Sequence, residues 1–446
     1  MSLDEMLIAR EQRVAWQEEA LLGASDKALI CFTLNIVGPM KAFPQADQTF
    51  DEGSAGIQAL LKSEGVAFEI KRCVRMKTGY TLLVLAEYSP VKLKALLCQL
   101  EENHPLGRFF DIDIIARSGK ISRQDIGMPE RKCILCDHPA FICSRSRQHT
   151  VEELQHKTLS VMGNYFLERE AKALATSAIR ALLYEVAVSP KPGLVDRLNN
   201  GSHRDMNFYT FISSATALYD YFFLVAKAGL TFTASPDILF KQCRYLGRLA
   251  EAQMHAATHD VNTHKGAIFS MGILCAAAGY VFTHNGTYTT ETLRTCVEQM
   301  TGSLRQELLN VNHPRTSGEH AFIEYRCGGI REEACNGFPS VFNVAYPVLK
   351  QIMEQTGDCD TAGCAALLHL MGCVNDTCLI KRGGYDELIY QRSKSARACQ
   401  CLDSYEKLMQ EMKTLDDEYI SKNLSVGGCA DLMAVAWFVY FVTTKT

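Results

Sequence analysis

The sequence predicts two domains: an α+β domain over residues 1–165 and an all-α helical domain over residues 166–446. Three observations carry this. The chain has 446 residues, more than one hydrophobic core usually serves. Strand-like runs occur only ahead of Val151. After Val151, helix-compatible apolar patterns follow one another, with the polar motifs in the loops between them.

In chain order, Leu3 to Leu22 has the pattern of an amphipathic helix. Ala28 to Ile36 (ALICFTLNI) reads as a strand that breaks at Gly38-Pro39. Gly79 to Tyr88 is a second strand and Pro90 to Glu102 a helix. Phe109 to Ala116 (FFDIDIIA) alternates as a strand and places Asp111 and Asp113 on one face. The domain boundary is expected between Thr158 and Glu170. Helices are expected over Ala171 to Val188, Asp205 to Ala228, Pro236 to Ala257, Ala267 to Val281 and Thr290 to Asn310. Further helices are expected over Pro339 to Gln355, Thr361 to Cys373 and Ala398 to Leu415.

Composition narrows the function classes. With 47% hydrophobic and 22% charged residues, the chain matches an ordinary soluble globular protein. A net charge of −4 without a Lys/Arg-rich block argues against nucleic acid as partner. Met1 to Leu22 is charged throughout and lacks the apolar centre of a signal peptide. The longest uncharged stretch, Gly266 to Thr290, is read as a buried helix, and Leu432 to Val442 is too short to cross a bilayer, so no membrane partner is expected. The eighteen cysteines are scattered, as buried thiols of a reducing cytoplasm would be.

Two constellations bear chemistry. In the first, Asp111 and Asp113 lie close enough to repel unless a cation shares them, and Mg²⁺ suits such hard oxygens together with substrate phosphates. Arg108 beside them can supply a bidentate phosphate contact. The D-x-D spacing suits nucleotidyl transfer. Asn35-Ile36-Val37-Gly38-Pro39-Met40-Lys41, Lys77-Thr78-Gly79, His104-Pro105-Leu106-Gly107-Arg108, Arg131-Lys132-Cys133-Ile134-Leu135-Cys136 and Cys143-Ser144-Arg145-Ser146-Arg147-Gln148-His149 follow in order. In these pieces the chain resembles holo-citrate lyase synthase, the phosphoribosyl-dephospho-CoA transferase that loads the acyl carrier subunit of citrate lyase, over most of residues 5–160. The resemblance implies a nucleotidyltransferase-like α+β fold and attack by a carrier serine on the phosphate next to ribose, with pyrophosphate leaving. It makes Asp111 and Asp113 the Mg²⁺ ligands, and Arg108 and Lys41 phosphate contacts. Cys133, Cys136, Cys143 and His149 could supply four zinc ligands, but C-x₅-H is at the wide end of finger spacings. Buried thiols with a phosphate-binding Arg145/Arg147 loop are the favoured reading.

The second constellation starts at Ser189-Pro190-Lys191-Pro192-Gly193, where the prolines fix an extended turn expected to expose the Lys191 ammonium. Asp205 can cap the next helix or, like His203, face a ligand. In His259-Asp260-Val261-Asn262-Thr263-His264-Lys265-Gly266, Asn262 or Thr263 can cap the apolar helix that follows. The first amides of that helix, its dipole and Lys265 make an anion site. His255 and His259, spaced i,i+4, read as a structural pair. Gly329-Ile330-Arg331-Glu332-Glu333-Ala334, Asn375-Asp376-Thr377, Arg382-Gly383-Gly384 and Leu424 to Leu432 come after.

In this order the pieces resemble triphosphoribosyl-dephospho-CoA synthase over residues 172–440. That resemblance implies joining ATP to 3′-dephospho-CoA, with adenine expelled through an oxocarbenium-like state. It makes Lys191, Arg197, Lys265 and Arg331 phosphate contacts, and His203 and His264 substrate contacts. Asp205, Asp260, Glu333 and Asp376 become base or Mg²⁺ candidates. Glu332 replaces a usual glycine, and a left-handed turn there would cost about 1 kcal/mol or more. Val426 and Cys429 also depart from the pattern.

The two resemblances together imply a fused enzyme whose partners are ATP, 3′-dephospho-CoA and the acyl carrier (gamma) subunit of citrate lyase, with Mg²⁺ as cofactor. The alternatives are the same chemistry serving malonate decarboxylase, or a non-catalytic assembly factor that binds the carrier.

Overall fold

The computed structural model describes residues 3–24, 27–401 and 404–444. The chain forms two compact units, Met1–Phe166 and Leu167–Thr446.

The first unit is built on a five-stranded antiparallel sheet. Its strands are β1 (Ala28–Leu34), β2 (Phe68–Met76), β3 (Gly79–Ala86), β4 (Phe110–Ala116) and β5 (Gly119–Ile121), in the spatial order β2-β3-β1-β4-β5. Helices Pro44–Ser63 and Pro90–Asn103 contribute Phe50, Ile57 and Leu97 to the core on one face, where Phe32 stacks on Phe50 at 5.2 Å. The opposite face has a smaller core of Leu29, Cys31, Leu83 and Leu85, against which Trp16 of helix Leu3–Leu21 packs. β4 alternates buried Phe110, Ile112 and Ile114 with half-buried Asp111 and Asp113, so both carboxylates share that second face. In register, Asp111 pairs with Thr33 and Asp113 with Cys31.

Two strands, β2 and β5, have no counterpart in the expected elements. β2 (FEIKRCVRM) lies at the sheet edge with no buried residue, and its charges mask the alternation. Helix Pro44–Ser63 is likewise additional.

Among the described residues the second unit is helical. At its centre is Lys265–Asn285, which buries thirteen residues. Its length and apolarity would suffice to cross a membrane, yet 72% of its apolar window is buried in the protein. Small residues let a neighbour come close: a Cβ on Gly279 would lie 2.4 Å from the Ala226 carbonyl of helix Tyr219–Thr231, and one on Gly229 2.1 Å from that of Ala276. Helix Gly427–Thr443 is almost as buried and carries Trp437 into the core.

Several expected helices differ in extent. Asp205–Ala228 is two helices, Phe208–Ala217 and Tyr219–Thr231, parted at Leu218. Thr290–Asn310 divides at Gly302. Pro339–Gln355 begins with a π-turn over Val341–Ala345. Instead of Ala398–Leu415 there are Thr377–Cys401, kinked where Gly384 takes φ 84°, and Tyr405–Ser421; Leu402 and Asp403 lie outside the described residues. Helix Val151–Ala187 starts well ahead of Ala171. All eighteen cysteines are free.

Candidate active sites

In the first unit, a polar cavity of about 210 Å³ brings Asp111 and Lys41 together with Thr33, Asn35, Thr78 and, from helix Leu3–Leu21, Arg10 and Arg13. Burial, and next the charge of Asp113, push the Asp111 carboxyl above its ordinary range. Burial pushes the Lys41 ammonium down; its Nζ donates to the Ile36 carbonyl. Asp113 pairs with Lys120 at 2.7 Å, and both line a second opening beside Asp111.

Arg108 lines a different cavity, of about 770 Å³. Its Nε and Nη1 are buried with no hydrogen-bond partner, and burial, then Arg131, lower its pKa. Arg145 is exposed above the Phe141 ring, while Arg147 lines the Arg108 cavity. Half of the expected Arg145/Arg147 pair therefore points elsewhere. The composition of helix Leu3–Leu21 offered no reason to choose Arg10 or Arg13, because only the fold brings them over Asp111.

In the second unit, a cavity of about 810 Å³ gathers Lys265, Arg331, Glu333 and Asp376, four of the expected residues. It adds Lys241, Arg244, Arg248, Glu251, Arg315 and Asp431. Lys265 pairs with Glu251 at 2.8 Å, Arg331 with Glu319 at 3.0 Å and Arg244 with Glu307 at 2.6 Å. Arg248 and Arg315 form no ion pair among the described residues. Asp376 is buried where two helices begin: it accepts amides from Cys378 at 2.8 Å, Leu379 at 3.1 Å and Cys429 at 2.8 Å. Burial raises its pKa against those amides. Glu333 is raised by burial too, and accepts the Ser340 amide at 3.2 Å and the Ser340 hydroxyl. Asp431 is raised well above the ordinary carboxylate range, by burial first and then by Glu185 and Asp376.

The start of helix Lys265–Asn285 is capped differently from either expectation alone. His264 is the N-cap, Asn262 accepts the Lys265 amide at 3.4 Å, and the Thr263 hydroxyl turns to Ser214 at 2.7 Å. Asp431 occupies this helix start: a Cβ on Gly266 would be 1.9 Å from its Oδ2, and the Ala267 amide donates to it, against the burial that raises its pKa. The Ala267 amide, one of those expected to bind an anion, is therefore taken by the protein's own carboxyl.

Other expected residues lie outside this cavity. Lys191 is 1% exposed, contrary to the expected free ammonium, and its Nζ donates to the Glu185 carboxylate and, at 2.8 Å, to its carbonyl. Asp196 holds the Lys191 amide at 2.9 Å and Asp416 that of Gly193 at 3.0 Å, which turns the loop inward. Arg197 pairs with Asp360. His203 bonds Ser425 at 3.1 Å, and burial, then Arg382, lower its pKa. His264 is buried, bonds Ser214 at 2.7 Å and leaves Nε2 unpartnered; burial, then Lys191, lower its pKa to about 3. Asp205 is exposed and caps nothing, because Asn207 forms the capping box with Thr210. Asp260 is exposed at φ 67° and His259 takes φ 52° beyond the end of helix Pro236–Ala257, so His255 and His259 share no helical face.

Glu332 also departs from expectation. It sits inside helix Gly329–Cys335, and Gly329 carries the positive φ of 56°. No left-handed turn falls on Glu332. Its carboxylate accepts the Gly328 amide at 3.0 Å, so the substitution costs no backbone strain.

Asp431 stands in the run Leu424 to Leu432, but nothing in that stretch of small and apolar residues singled it out. Arg244 and Arg248 are four apart on an exposed helix face, a pattern usual for solvated charge.

Residues 171–446 match the family described as ATP:dephospho-CoA triphosphoribosyl transferase, and residues 1–165 the family described as apo-citrate lyase phosphoribosyl-dephospho-CoA transferase. Over 98% of its length the chain is 34% identical to protein CitXG of Haemophilus influenzae, covering 96% of that protein. It is 31% identical to protein CitXG of Leuconostoc mesenteroides subsp. cremoris, covering 98% of the chain and 97% of that protein. Over 59% of the chain it is 39% identical to a 2-(5''-triphosphoribosyl)-3'-dephosphocoenzyme-A synthase of Pectobacterium atrosepticum, covering 87% of that protein.

Proposed function

We propose, from the premise that the chain belongs to the ATP:dephospho-CoA triphosphoribosyl transferase family and carries an apo-citrate lyase phosphoribosyl-dephospho-CoA transferase region ahead of it, a cytoplasmic enzyme that makes and attaches the citrate lyase prosthetic group in two units. The second unit joins ATP to 3′-dephospho-CoA and releases adenine. The first transfers the product to a serine of the acyl carrier subunit and releases pyrophosphate.

The observation that carries the first step is the 810 Å³ cavity, in which cations from several segments meet three carboxyls of raised pKa. Lys265, Arg331, Arg248 and Arg315 hold the triphosphate. A 2′-hydroxyl of dephospho-CoA forms the new bond to the anomeric carbon of ATP as the bond to adenine breaks. Glu333, kept ionisable by the Ser340 amide and hydroxyl, accepts the hydroxyl proton. Asp431, whose burial and carboxylate neighbours favour its protonated form, gives a proton to the departing adenine. Asp376, fixed by three amides, orients the mouths of both helices that begin there.

In the first unit, the carrier serine oxygen bonds the phosphorus next to ribose while its bond to the pyrophosphate oxygen breaks. Lys41, Arg10 and Arg13 neutralise the phosphates in the Asp111 cavity. The donor set fits Mg²⁺: two hard carboxylates share one strand face, and burial, then the like charge of Asp113, push Asp111 up. Mg²⁺ held by Asp111 and Asp113 would supply charge neutralisation at phosphate oxygens; Asp376, expected as a further ligand, has both oxygens taken by helix amides and is left out of that role. This two-domain reading gives the first unit a nucleotidyltransferase-like role.

Full-length protein incubated with ATP, Mg²⁺, dephospho-CoA and apo-carrier tests the assignment, with adenine measured by chromatography and the carrier by mass. Asp111→Asn with Asp113→Asn is expected to release adenine at the wild-type rate and leave the carrier unmodified. Lys265→Ala is expected to slow adenine release about 10- to 100-fold, the loss of one charge-assisted contact, while pre-made prosthetic group is still attached. Carrier labelling at the wild-type rate in the first variant overturns the Asp111/Asp113 assignment.

A further inference from the structure

We infer that Cys133, Cys136, Cys143 and His149 form a closed structural Zn²⁺ site that staples the segment between β5 and helix Val151–Ala187. This reverses the reading of these residues as merely buried thiols.

The four ligand atoms all lie within 4.8 Å of one another. Cys136 Sγ is 3.4 Å from Cys143 Sγ and 3.3 Å from His149 Nε2. A tetrahedral zinc with Zn–S of about 2.3 Å and Zn–N of about 2.0 Å has S···S edges of about 3.8 Å and S···N edges of about 3.5 Å. The observed separations fall short of those edges by only a few tenths of an ångström. Three thiols and an imidazole are also the donor set zinc prefers in structural sites, and four protein ligands leave no open position for a reacting water.

The backbone is shaped for the same purpose. Cys133 donates its amide to the His138 carbonyl at 2.7 Å, and a bridge joins Lys132 to Pro139, so the C-x₂-C pair sits in a tight loop. The Leu135 amide approaches Cys133 Sγ at 3.5 Å, as an amide does toward a thiolate. Helix Ala140–Ser146 carries Cys143 and ends where Arg147 takes φ 48°; beyond that turn, His149 meets Cys136.

An independent observation is how little apolar burial holds this segment beyond the ion pairs of Arg123 and Arg131 with Glu101. Between Ser122 and Thr150, Cys143 is the sole fully buried residue. Regular structure there amounts to one 3-10 turn and one seven-residue helix. A stretch with so little apolar burial does not offset the entropy of ordering it, which is the situation where metal binding becomes folding free energy. The staple has a functional consequence: Cys133, Cys143, Arg147 and His149 line the same cavity as Arg108. Zinc would thus fix the wall that faces the unpartnered Arg108 guanidinium.

A disulfide between Cys136 and Cys143 is the competing account, and it leaves Cys133 and His149 without a reason to converge. The test uses full-length protein purified from zinc-supplemented medium without chelator, with metal read by mass spectrometry and thiols counted after denaturation without reductant. About one zinc per chain and all eighteen thiols are expected. Cys136→Ser and Cys143→Ser should each drop bound zinc at least tenfold. His149→Cys, which keeps four ligands, should retain zinc and folding, so a loss in the serine variants is not mistaken for general misfolding. Cobalt-substituted wild type should show thiolate-to-cobalt charge transfer and tetrahedral visible bands. Zinc-free wild type that takes up no zinc on titration, two missing thiols, or zinc unchanged in Cys136→Ser would each overturn the site.

Discussion

His264 shows how a single buried side chain ties the second unit to pH. Its imidazole is held neutral, with a pKa of about 3 against an ordinary 6.5, because burial and Lys191 oppose its charge. The stability it confers is complete above the ordinary value and is lost as pH falls from about 6.5 toward 3, at up to about 1.4 kcal/mol per pH unit. His264→Gln is expected to flatten that acid limb in denaturant titrations; a wild-type slope in the variant would refute the assignment. Asp431 and Glu333 act with the opposite sign, since their raised pKa values favour the fold below the ordinary carboxylate range and lose that contribution as pH rises through the raised values. Gly266 is where packing and chemistry meet. Gly266→Ala would press a methyl against the Asp431 carboxyl, 1.9 Å from Oδ2, and should destabilise the unit by about 1–3 kcal/mol. Adding Asp431→Ala should recover most of that stability but not adenine release, a separation that denaturation and product assays read directly.

At the scale of elements, the long apolar helices were legible from pattern and the short polar ones were not. Lys265–Asn285 stood out because it is apolar all round, the signature of a fully buried helix. Ser317–Tyr325 and Gly329–Cys335 went unseen, since helices of nine and seven residues leave little periodicity to read. The cap of helix Phe208–Ala217 is Asn207 and not Asp205, two residues earlier, because the Asn207 side chain accepts the Thr210 amide and closes a capping box. Asn207→Ala should therefore cost about 1 kcal/mol of stability, whereas Asp205→Ala should cost nothing measurable by denaturation and leave adenine release unchanged. The edge strand β2 shows the reverse failure: the charges that protect an edge from aggregation also erase the alternation by which a strand is recognised.

For the molecule as a whole, each of the two compact units has its own cavity, so the two proposed steps can be inactivated one at a time. A mixture of the Asp111→Asn/Asp113→Asn variant with the Lys265→Ala variant should restore carrier loading, with a lag that shortens as total protein concentration rises. Failure to complement, with each variant folded, would show that the intermediate never reaches solution. The order of motifs along the chain was enough to assign the enzyme family, because glycine-rich turns, paired carboxylates and cations at set spacings are local in sequence. The same order marked Lys265, Arg331, Glu333 and Asp376 for the second cavity and Lys41 and Asp111 for the first. Which charges are spent internally was decided by tertiary structure alone: Lys191 is consumed by Glu185, Asp376 by helix amides, and Arg10, Arg13 and Asp431 are delivered from distant segments. The reason is physical: a side chain's chemistry is written at its own position, whereas its burial and partners depend on chain segments that meet only when the core closes.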